Sequence, residues 1–558
     1  MLYTRPCMHR ESRTGSWRLW AAAALSAGLL ELPFPLAGPL PAWRTVFAWF
    51  GLVPLLYAVL SAAVAGQRHA LRRSFLLAYL SGFLWYMGNC YWVRNTMMRY
   101  GDMPPLAPTL LLIGFSLVLG LYFGFFGLGI QLVRKATGST RLALAFAPFL
   151  WAALELAAAR ITSVPWDQLG YSQVDNTLVN QLAPWTGVYG ISFVLVAVNA
   201  LIAGGFLLER CPRKWSANRR LWGISGAVLL MVGEGGMTIP PPKPPSSATA
   251  VLIQPDLNVG RNSPWIGAAW GRHIAQFVNL AGETCGNYIA GIPQTGAPRR
   301  EIPCAESSPP PALVVWPESP APFIQGDPRF SQAMRLIAQA IQAPLVVGGI
   351  GTDFSANEGI WHDYNSAMIF NANGEMVGRY DKIHLVPFGE YVPFRHLLFF
   401  ARKLTGQVGS FSRGKTREVF LLNGHRYGVF ICYEAVFANE VRQFARLGAQ
   451  VLVNISDDGW YGDTSAPWQH LNMARMRAIE NRRWLLRDTN NGVTAVIDPY
   501  GRVRQSIPRH EVNALPAEFG YSDQMTFYTE HGDVFAWVCA ILSIGVFAWS
   551  LGKLEQHH

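Results

Sequence analysis

Long apolar runs separated by short polar segments dominate the first 237 residues of the chain. Seven runs between Trp17 and Met237 are close to the roughly 20 apolar residues that a membrane-spanning helix needs. An eighth run lies near the C-terminus. A single run of this kind could be a buried core helix, but eight in one chain favour a polytopic membrane protein. The predicted spans are 17–36, 45–66, 74–93, 106–133, 142–160, 185–208, 220–237 and 534–551.

Between the seventh and eighth runs the pattern becomes that of a soluble α/β domain. Short runs rich in Val and Ile predict strands, which alternate with segments of helical periodicity. The predicted strands are 249–255, 312–317, 344–350, 365–370, 426–432 and 449–455, and the predicted helices are 267–281, 330–342, 435–446 and 466–482. Turn residues predict hairpins at 371–374 and 498–501. In an α/β domain we expect chemistry at the strand ends and the loops that follow them.

These patterns predict four parts of the chain. Residues 1–237 form a membrane domain of seven helices, and residues 238–247 (TIPPPKPPSS) form a stiff, proline-rich linker. Residues 248–532 form the extramembrane α/β domain. Residues 533–558 form a C-terminal span and a tail.

The composition agrees with this division. The hydrophobic share is 51% and the charged share only 15%, whereas soluble domains carry about 25% charged residues. Disorder is excluded, because it requires low hydrophobicity and high charge. Seven cysteines are too few for a disulfide scaffold, and their spacing matches no zinc site. Phosphate loops and dinucleotide fingerprints are also missing from the sequence, so we expect no metal and no cofactor.

The net charge of +11 is explained largely by topology. Sixteen Lys and Arg residues lie on one side of the predicted spans, against four in the short loops on the other side: Arg44, Arg94, Arg99 and Arg160. Loops rich in Lys and Arg stay in the cytoplasm. We therefore expect both termini in the cytoplasm, the α/β domain on the outer face of the membrane, and no nucleic-acid partner.

Three strand-end segments carry candidate chemistry: Glu318 in WPES, Lys382 in YDKIHLVPFGEYVP and Cys432 in ICYE. Taken singly, each has an ordinary interpretation. A cysteine that closes an apolar strand is usually a small buried hydrophobe, Glu318 could begin a helix, and Lys382 could be a solvated hairpin residue. Together they supply what acyl transfer through a thiol needs. A base takes the thiol proton, a thiolate attacks the carbonyl, and a cation stabilises the oxyanion.

The three segments resemble the Glu-Lys-Cys triad of the carbon–nitrogen hydrolase (nitrilase) superfamily, and the resemblance spans about 248–520. Further motifs resemble the apolipoprotein N-acyltransferase family within that superfamily. They are LVPFGEYVP (385–393), SDDGWYGD (456–463), HLNMARMRAIE (470–480), TNNGVTAVIDPYG (489–501), PWDQLGYSQ (165–173) and GVYGISF (187–193). The resemblance implies a helical membrane bundle of eight spans joined to a catalytic domain with a nitrilase-like α-β-β-α sandwich fold.

The resemblance also implies a reaction in two steps. Cys432 takes an acyl chain from a membrane phospholipid as a thioester, and the free α-amino group of the lipidated N-terminal cysteine of a diacylglyceryl-modified apolipoprotein then accepts it. Glu318 would be the general base and Lys382 the oxyanion stabiliser, with Glu390, Tyr433 and Glu434 in support. The implied setting is a monomer in the bacterial inner membrane, with its catalytic domain in the periplasm.

Two other functions are compatible with parts of the sequence. A membrane-tethered, nitrilase-like amidase would use water as the second nucleophile on a small amide. This function does not explain the large membrane region. A transporter with a binding domain would need paired ionisable groups or broken helices at mid-membrane. Spans six and eight show neither.

The sequence departs from the family pattern at two places. Residues 282–310 are a long Gly- and Pro-rich loop that resembles an insertion, and we hypothesise a disulfide between its Cys285 and Cys304, because it lies on the oxidising side of the membrane. Residues 457–459 are Asp-Asp-Gly where the family more often has Asn-Asp-Ala. His470, near the start of a predicted helix, is expected to cap or pack rather than to bind a metal.

Overall fold

The computed structural model describes residues 16–62, 69–100, 104–207, 215–258, 268–283, 310–318, 323–387, 389–391 and 411–556. The chain divides into two compact units. The first comprises residues 1–92, 109–240 and 533–558, and the second comprises residues 93–108 and 241–532. The hypothesised Cys285–Cys304 disulfide lies outside the described residues.

Helices make up most of the first unit and the outer layers of the second. In chain order they are α1 (Ser16–Glu31), α2 (Val53–Ser61), α3 (Ala70–Asn89), α4 (Tyr91–Tyr100), α5 (Leu106–Thr137), α6 (Thr140–Ala157), α7 (Ala183–Thr186), α8 (Val188–Leu207), α9 (Trp215–Gly235), α10 (Ala268–Glu283), α11 (Pro328–Ile341), α12 (Ala438–Arg446), α13 (Ala466–Asn481), α14 (Phe527–His531) and α15 (Val534–Glu555). A 3₁₀ helix at Ala42–Trp49 precedes α2, and one turn of π-helix at Ala158–Thr162 extends α6.

Six helical segments among the described residues are long and apolar enough to cross a membrane. They are Ala42–Ser61, Leu106–Thr137, Thr140–Thr162, Val188–Leu207, Arg219–Thr238 and Val534–Glu555. They coincide with six of the eight predicted spans. Helices α1 and α3 occupy the positions of the first and third predicted spans but fall outside this group. Helix α1 has only 16 residues, and α3 carries Arg72 and Arg73 in its first turn. The count of eight therefore stays a prediction.

The first unit is a bundle in which α8 packs against α6 and α9, while α1 packs against α3 and α15 against α6. Small residues allow close approach between helices in such bundles. At Gly127 of α5, a β-carbon would lie 2.5 Å from the Ser74 carbonyl oxygen of α3. Ser139 caps the start of α6 by accepting a hydrogen bond from the backbone N–H of Leu142.

The second unit is built on two six-stranded sheets. The strands are β1 (Ala248–Gln254), β2 (Leu313–Val315), β3 (Leu345–Ser355), β4 (Ile360–Phe370), β5 (Met376–Asp381), β6 (Val419–Leu422), β7 (His425–Ile431), β8 (Val451–Ser456), β9 (Trp484–Thr489), β10 (Thr494–Ile497), β11 (Val503–Ile507) and β12 (Asn513–Phe519). Their orders are β12-β1-β2-β3-β4-β5 and β11-β10-β9-β8-β7-β6. Each sheet has three parallel central strands, β1-β2-β3 and β7-β8-β9, with antiparallel strands on both sides.

The two sheets pack face to face and helices cover their outer faces. Side chains alternate along each strand, so Leu252 of β1 faces the inter-sheet core together with Val429 of β7. Val251, its neighbour in the chain, faces Phe277 of α10 on the outside. Helices α12 and α13 cover the second sheet. Because the central strands are buried on both faces, five of the six appear in the sequence as the continuous apolar runs from which they were predicted, and β9 is the exception.

Most predicted elements of this unit are present with small shifts of their ends. The predicted strand 365–370 is the second half of β4, which starts five residues earlier, and the predicted helix 435–446 begins at Ala438. Both predicted turns are confirmed. The N–H of Gly374 bonds the Asn371 carbonyl at 2.9 Å, and that of Gly501 bonds the Asp498 carbonyl at 2.8 Å. The sequence patterns did not predict β6, β9 or β12.

Candidate active site

Three strand ends converge on one buried cluster. Glu318 follows β2 after Trp316 and Pro317, Lys382 directly follows β5, and Cys432 directly follows β7. The first two belong to one sheet and Cys432 belongs to the other, so the cluster forms where the facing sheets end. The three residues are 6%, 1% and 5% exposed. The structure thus brings together the three candidates predicted from the sequence.

Lys382 lies between two glutamates. Its Nζ is 3.0 Å from Glu318 Oε1 and 2.9 Å from Glu390 Oε1. A buried ammonium needs such compensation, because removing a charge from water costs several kcal/mol. Glu390 is itself held by the backbone, since its Oε2 accepts a hydrogen bond from the N–H of Val386 at 2.8 Å.

Asn365 of β4 joins the two carboxylates. Its Nδ2 donates to Glu318 Oε1 at 2.7 Å and to Glu390 Oε1 at 2.6 Å. Its backbone carbonyl accepts from the N–H of Lys382 at 2.8 Å. Sequence reasoning placed Asn365 on a strand but did not identify it as a site residue. No local motif marks it, because its partners lie 25 and 47 residues away.

Cys432 occupies a strained turn. Its φ is +50°, in the left-handed region that non-glycine residues rarely adopt. The turn is tied on both sides of the cysteine. Glu434 Oε2 accepts from the N–H of Ile431 at 2.8 Å, and His470 Nε2 lies 3.0 Å from the carbonyl oxygen of Cys432.

Glu434 connects the cysteine turn to the lysine segment. Its other oxygen, Oε1, accepts from the N–H groups of Ile383 and His384 at 2.7 and 3.1 Å. The Tyr380 hydroxyl lies 2.9 and 3.0 Å from the two oxygens. One fully buried carboxylate therefore fixes the backbone immediately before Cys432 and immediately after Lys382. Tyr433, the other predicted supporting residue, is half-buried and packs edge-on against Phe437.

The charges of the cluster support one another. Burial alone raises the pKa of Glu318, but Lys382 and the Asn365 hydrogen bond outweigh it and lower the pKa. Burial likewise opposes the charge on Lys382, but Glu318 and Glu390 raise the pKa of its ammonium well above the usual range. Burial and then Glu318 raise the pKa of the Cys432 thiol. The resting cluster is therefore a carboxylate, an ammonium and a neutral thiol.

A second buried network lies behind the cysteine turn. Asp458 Oδ2 pairs with Arg487 Nη2 at 2.7 Å, and Asp458 Oδ1 lies 2.9 Å from His470 Nδ1. Burial raises the pKa of Asp458, but Arg487 and His470 outweigh it and lower the pKa. His470 is fully buried inside α13, where it links this ion pair to the Cys432 carbonyl. Sequence reasoning expected a packing or capping role for His470 and missed Asp458 and Arg487.

The arrangement is suited to acylation of a thiol. A carboxylate and a thiol lie close enough that each shifts the other's pKa, and a cation lies beside both. Within the described ranges, no group of three or more His, Cys, Asp or Glu side chains is arranged to hold a metal ion.

Two family models match parts of the chain. Residues 306–517 match the family model of the carbon-nitrogen hydrolases, and residues 26–201 match that of the apolipoprotein N-acyltransferase N-terminal domain. A solved structure, Saccharomyces cerevisiae Nit3 of the nitrilase superfamily, aligns with 52% of this chain and 95% of its own at 18% identity and a TM-score of 0.35.

Two relatives match nearly the whole chain. An apolipoprotein N-acyltransferase from Geobacter metallireducens is 32% identical over 551 residues, which are 97% of both chains. One from Brucella melitensis is 30% identical over 518 residues, which are 89% of both chains. The two-sheet domain has the nitrilase-like carbon–nitrogen hydrolase fold, and the chain belongs to the apolipoprotein N-acyltransferase family.

Proposed function

We propose that this protein transfers an acyl chain from a membrane phospholipid, through a thioester on Cys432, to the α-amino group of the lipidated N-terminal cysteine of an apolipoprotein. The observation that supports it most is the buried contact of Glu318, Lys382 and Cys432 at three strand ends, in a chain whose relatives share this named activity over most of their length.

In the first step, Glu318 removes the thiol proton of Cys432 as the sulfur attacks the carbonyl carbon of the phospholipid ester. A C–S bond forms and the carbonyl oxygen becomes an oxyanion, which the Lys382 ammonium stabilises. The C–O bond to the glycerol backbone then breaks. The departing oxygen takes the proton from Glu318, and a lysophospholipid leaves.

In the second step, the amine of the acceptor attacks the thioester carbonyl. Glu318 takes a proton from the attacking nitrogen, and Lys382 again stabilises the oxyanion. The C–S bond breaks, and the cysteine sulfur recovers the proton from Glu318. The product is an N-acylated lipoprotein, and the cluster returns to its starting charges.

Four further residues hold the geometry for these steps. Asn365 and Glu390 fix the positions of Glu318 and Lys382, and Glu434 fixes the Cys432 turn. Burial keeps bulk water away, so the thioester survives until an amine arrives. Tyr433, beside the nucleophile, supports the same turn.

We also propose the arrangement in the membrane. The protein has eight spans in the inner membrane of a bacterium and acts as a monomer, with both termini in the cytoplasm. Residues 1–237 form the membrane domain, residues 248–532 the periplasmic catalytic domain, and residues 533–558 the last span and tail. The asymmetry of Lys and Arg between alternate loops and the six apolar helices support this arrangement.

A transfer assay tests the proposal. The full-length protein in vesicles is given phospholipid with a labelled acyl chain and a diacylglyceryl-modified lipopeptide with either a free or an acetylated α-amine. We expect the free-amine peptide alone to gain one labelled acyl chain, and Cys432→Ala to transfer none. Release of labelled fatty acid with both peptides unchanged would contradict acyl transfer and favour the hydrolase alternative.

A further inference from the structure

One buried oxygen beside the active site has no hydrogen-bond partner among the described residues. It is Oδ2 of Asp457, a side chain that is 1% exposed. Its twin, Oδ1, accepts from the N–H of Gly459 at 3.0 Å and from Asn490 Nδ2 at 3.2 Å. The backbone N–H of Asp457 donates to Glu318 Oε2 at 2.9 Å. Asp457 is thus attached directly to the residue proposed as the general base.

In the part of the chain that the structure describes, no positive charge compensates Asp457. Glu318 after β2 and Asp458, the next residue along the chain, are both acidic. The titratable Tyr100 of α4 also interacts electrostatically with Asp457. Asn490, after β9, is neutral. Among the described residues no cation forms an ion pair with Asp457, whereas Asp458 has Arg487.

An ionised Asp457 would therefore be a buried charge with one oxygen unsolvated. Such a charge costs several kcal/mol, and a buried carboxyl without a counter-ion keeps its proton instead. Burial raises the pKa of Asp457 well above its usual range, and the Glu318 charge raises it further. The proton belongs on Oδ2, because Oδ1 already accepts two hydrogen bonds.

We propose that Asp457 is a positioning residue that carries a proton on Oδ2 in the working enzyme, and that losing this proton at alkaline pH disables acylation of Cys432. The inference rests on the proposed thioester step. While Asp457 keeps its proton, the Lys382 ammonium pairs with the Glu318 and Glu390 carboxylates. Once Asp457 ionises, a further negative charge beside Glu318 competes for Lys382 and opposes the developing oxyanion.

The test compares acylation of Cys432 by phospholipid, without acceptor, at neutral and alkaline pH. Asp457→Asn keeps the shape and a hydrogen-bond donor but cannot ionise. Asp463→Asn is the matched control, because Asp463 belongs to the same segment but is exposed and pairs with Arg509 and His510. Taking the ratio of alkaline to neutral rate within each variant removes differences in basal rate.

In the wild type and in Asp463→Asn, we expect the ratio of alkaline to neutral acylation rate to fall about tenfold for each pH unit above the pKa of Asp457. In Asp457→Asn this ratio should be several-fold higher. Equal ratios in the wild type and Asp457→Asn would overturn the inference. So would an equally raised ratio in Asp463→Asn, because the effect would then be one of general charge. Absence of any adduct in the wild type would instead count against the proposed function.

A spectroscopic measurement tests the proton independently of activity. The infrared difference spectrum between the wild type and Asp457→Asn at neutral pH, with ¹³C-labelled aspartate, should contain the carbonyl stretch of a protonated carboxylic acid. A carboxylate band in its place would overturn the inference even if acylation were pH-dependent.

Discussion

Replacing Glu434 by Gln tests whether one carboxylate holds the nucleophile and the lysine in place. Both of its oxygens accept backbone hydrogen bonds, from Ile431 on one side and from Ile383 and His384 on the other. A glutamine amide has one oxygen and one NH₂ group. Whichever way it lies, its NH₂ group faces at least one backbone N–H, so at least one bond is replaced by a donor facing a donor.

The expected cost follows from these bonds. A hydrogen bond to a charged acceptor contributes about 1.5–3 kcal/mol, and a buried donor left unsatisfied costs about 1–3 kcal/mol. The less costly amide orientation loses the bond to Ile431, which holds the strand end before Cys432. Without it the strained φ of Cys432 relaxes, and a displacement of about 1 Å lowers the rate about a hundredfold. We expect Glu434→Gln to lose about 2–3 kcal/mol of stability and about a hundredfold in acylation rate.

The assay is the rate at which Cys432 acquires an acyl chain, together with thermal unfolding in detergent. Glu440→Gln is the matched control. Glu440 is also a buried glutamate, and it pairs with His384 at 2.8 Å and with Arg417. Burial raises the pKa of Glu440, but these two partners outweigh burial and lower the pKa to about 2. It touches neither Cys432 nor Lys382, so this variant should lose stability but not acylation rate. A wild-type acylation rate in folded Glu434→Gln would refute the reasoning.

Four more variants have distinct expected outcomes. Glu318→Gln should form no acyl adduct, because an amide cannot take the thiol proton; unchanged adduct formation by mass spectrometry would move the base elsewhere. The pKa of Glu318 is lowered, so the base is ionised at neutral pH and acylation falls only as the pH drops through that lowered value. Asn365→Ala removes a hydrogen bond to the ionised form and should move this acid limb to higher pH in a rate profile, and an unmoved limb would exclude the role of Asn365. Lys382→Met leaves Glu318 and Glu390 buried without a counter-ion, which should cost about 3–5 kcal/mol in thermal stability and abolish acylation, and persistent acylation would contradict the oxyanion role. Asp457→Asn should be more stable than the wild type at neutral pH but not in acid, because a raised carboxyl pKa costs stability as pH rises; equal melting curves at both pH values would contradict this.

The strand ends of the site could be predicted because of a simple physical pattern. Central strands buried on both faces are continuous apolar runs, and the first polar residue after each run stands out. Glu318 and Cys432 were recognisable in this way, and each does follow a central strand. Lys382 follows β5, an edge strand without a continuous apolar run, and it was recognised by the motif around it. The resemblance to a family then assigned them complementary roles.

Strand β9 shows where the pattern fails. It carries Arg487 and Asp488, both fully buried, which interrupt the apolar run that predicts a strand. The charge of Arg487 is satisfied by Asp458, 29 residues away. Such pairing is visible only after folding, because no local spacing connects the two residues.

Asn365 and His470 were overlooked as site residues for the same reason. Their partners come from other elements, so their sequence neighbours say nothing about the contacts. The number of spans depends on a different property. Helix α3 carries two charged residues, Arg72 and Arg73, and α1 is short. Both are therefore weaker candidates for membrane spans than the other predicted ones.

Intact-mass analysis of the full-length protein after incubation with phospholipid, without acceptor, tests the central claim most directly. We predict an added mass of one acyl chain that maps to the Cys432 peptide, is removed by hydroxylamine, and is missing from Cys432→Ala and Cys432→Ser, since a serine hydroxyl lacks thiolate character. Transfer to an acceptor lipopeptide without any such adduct, or with the adduct on another residue, would contradict the account.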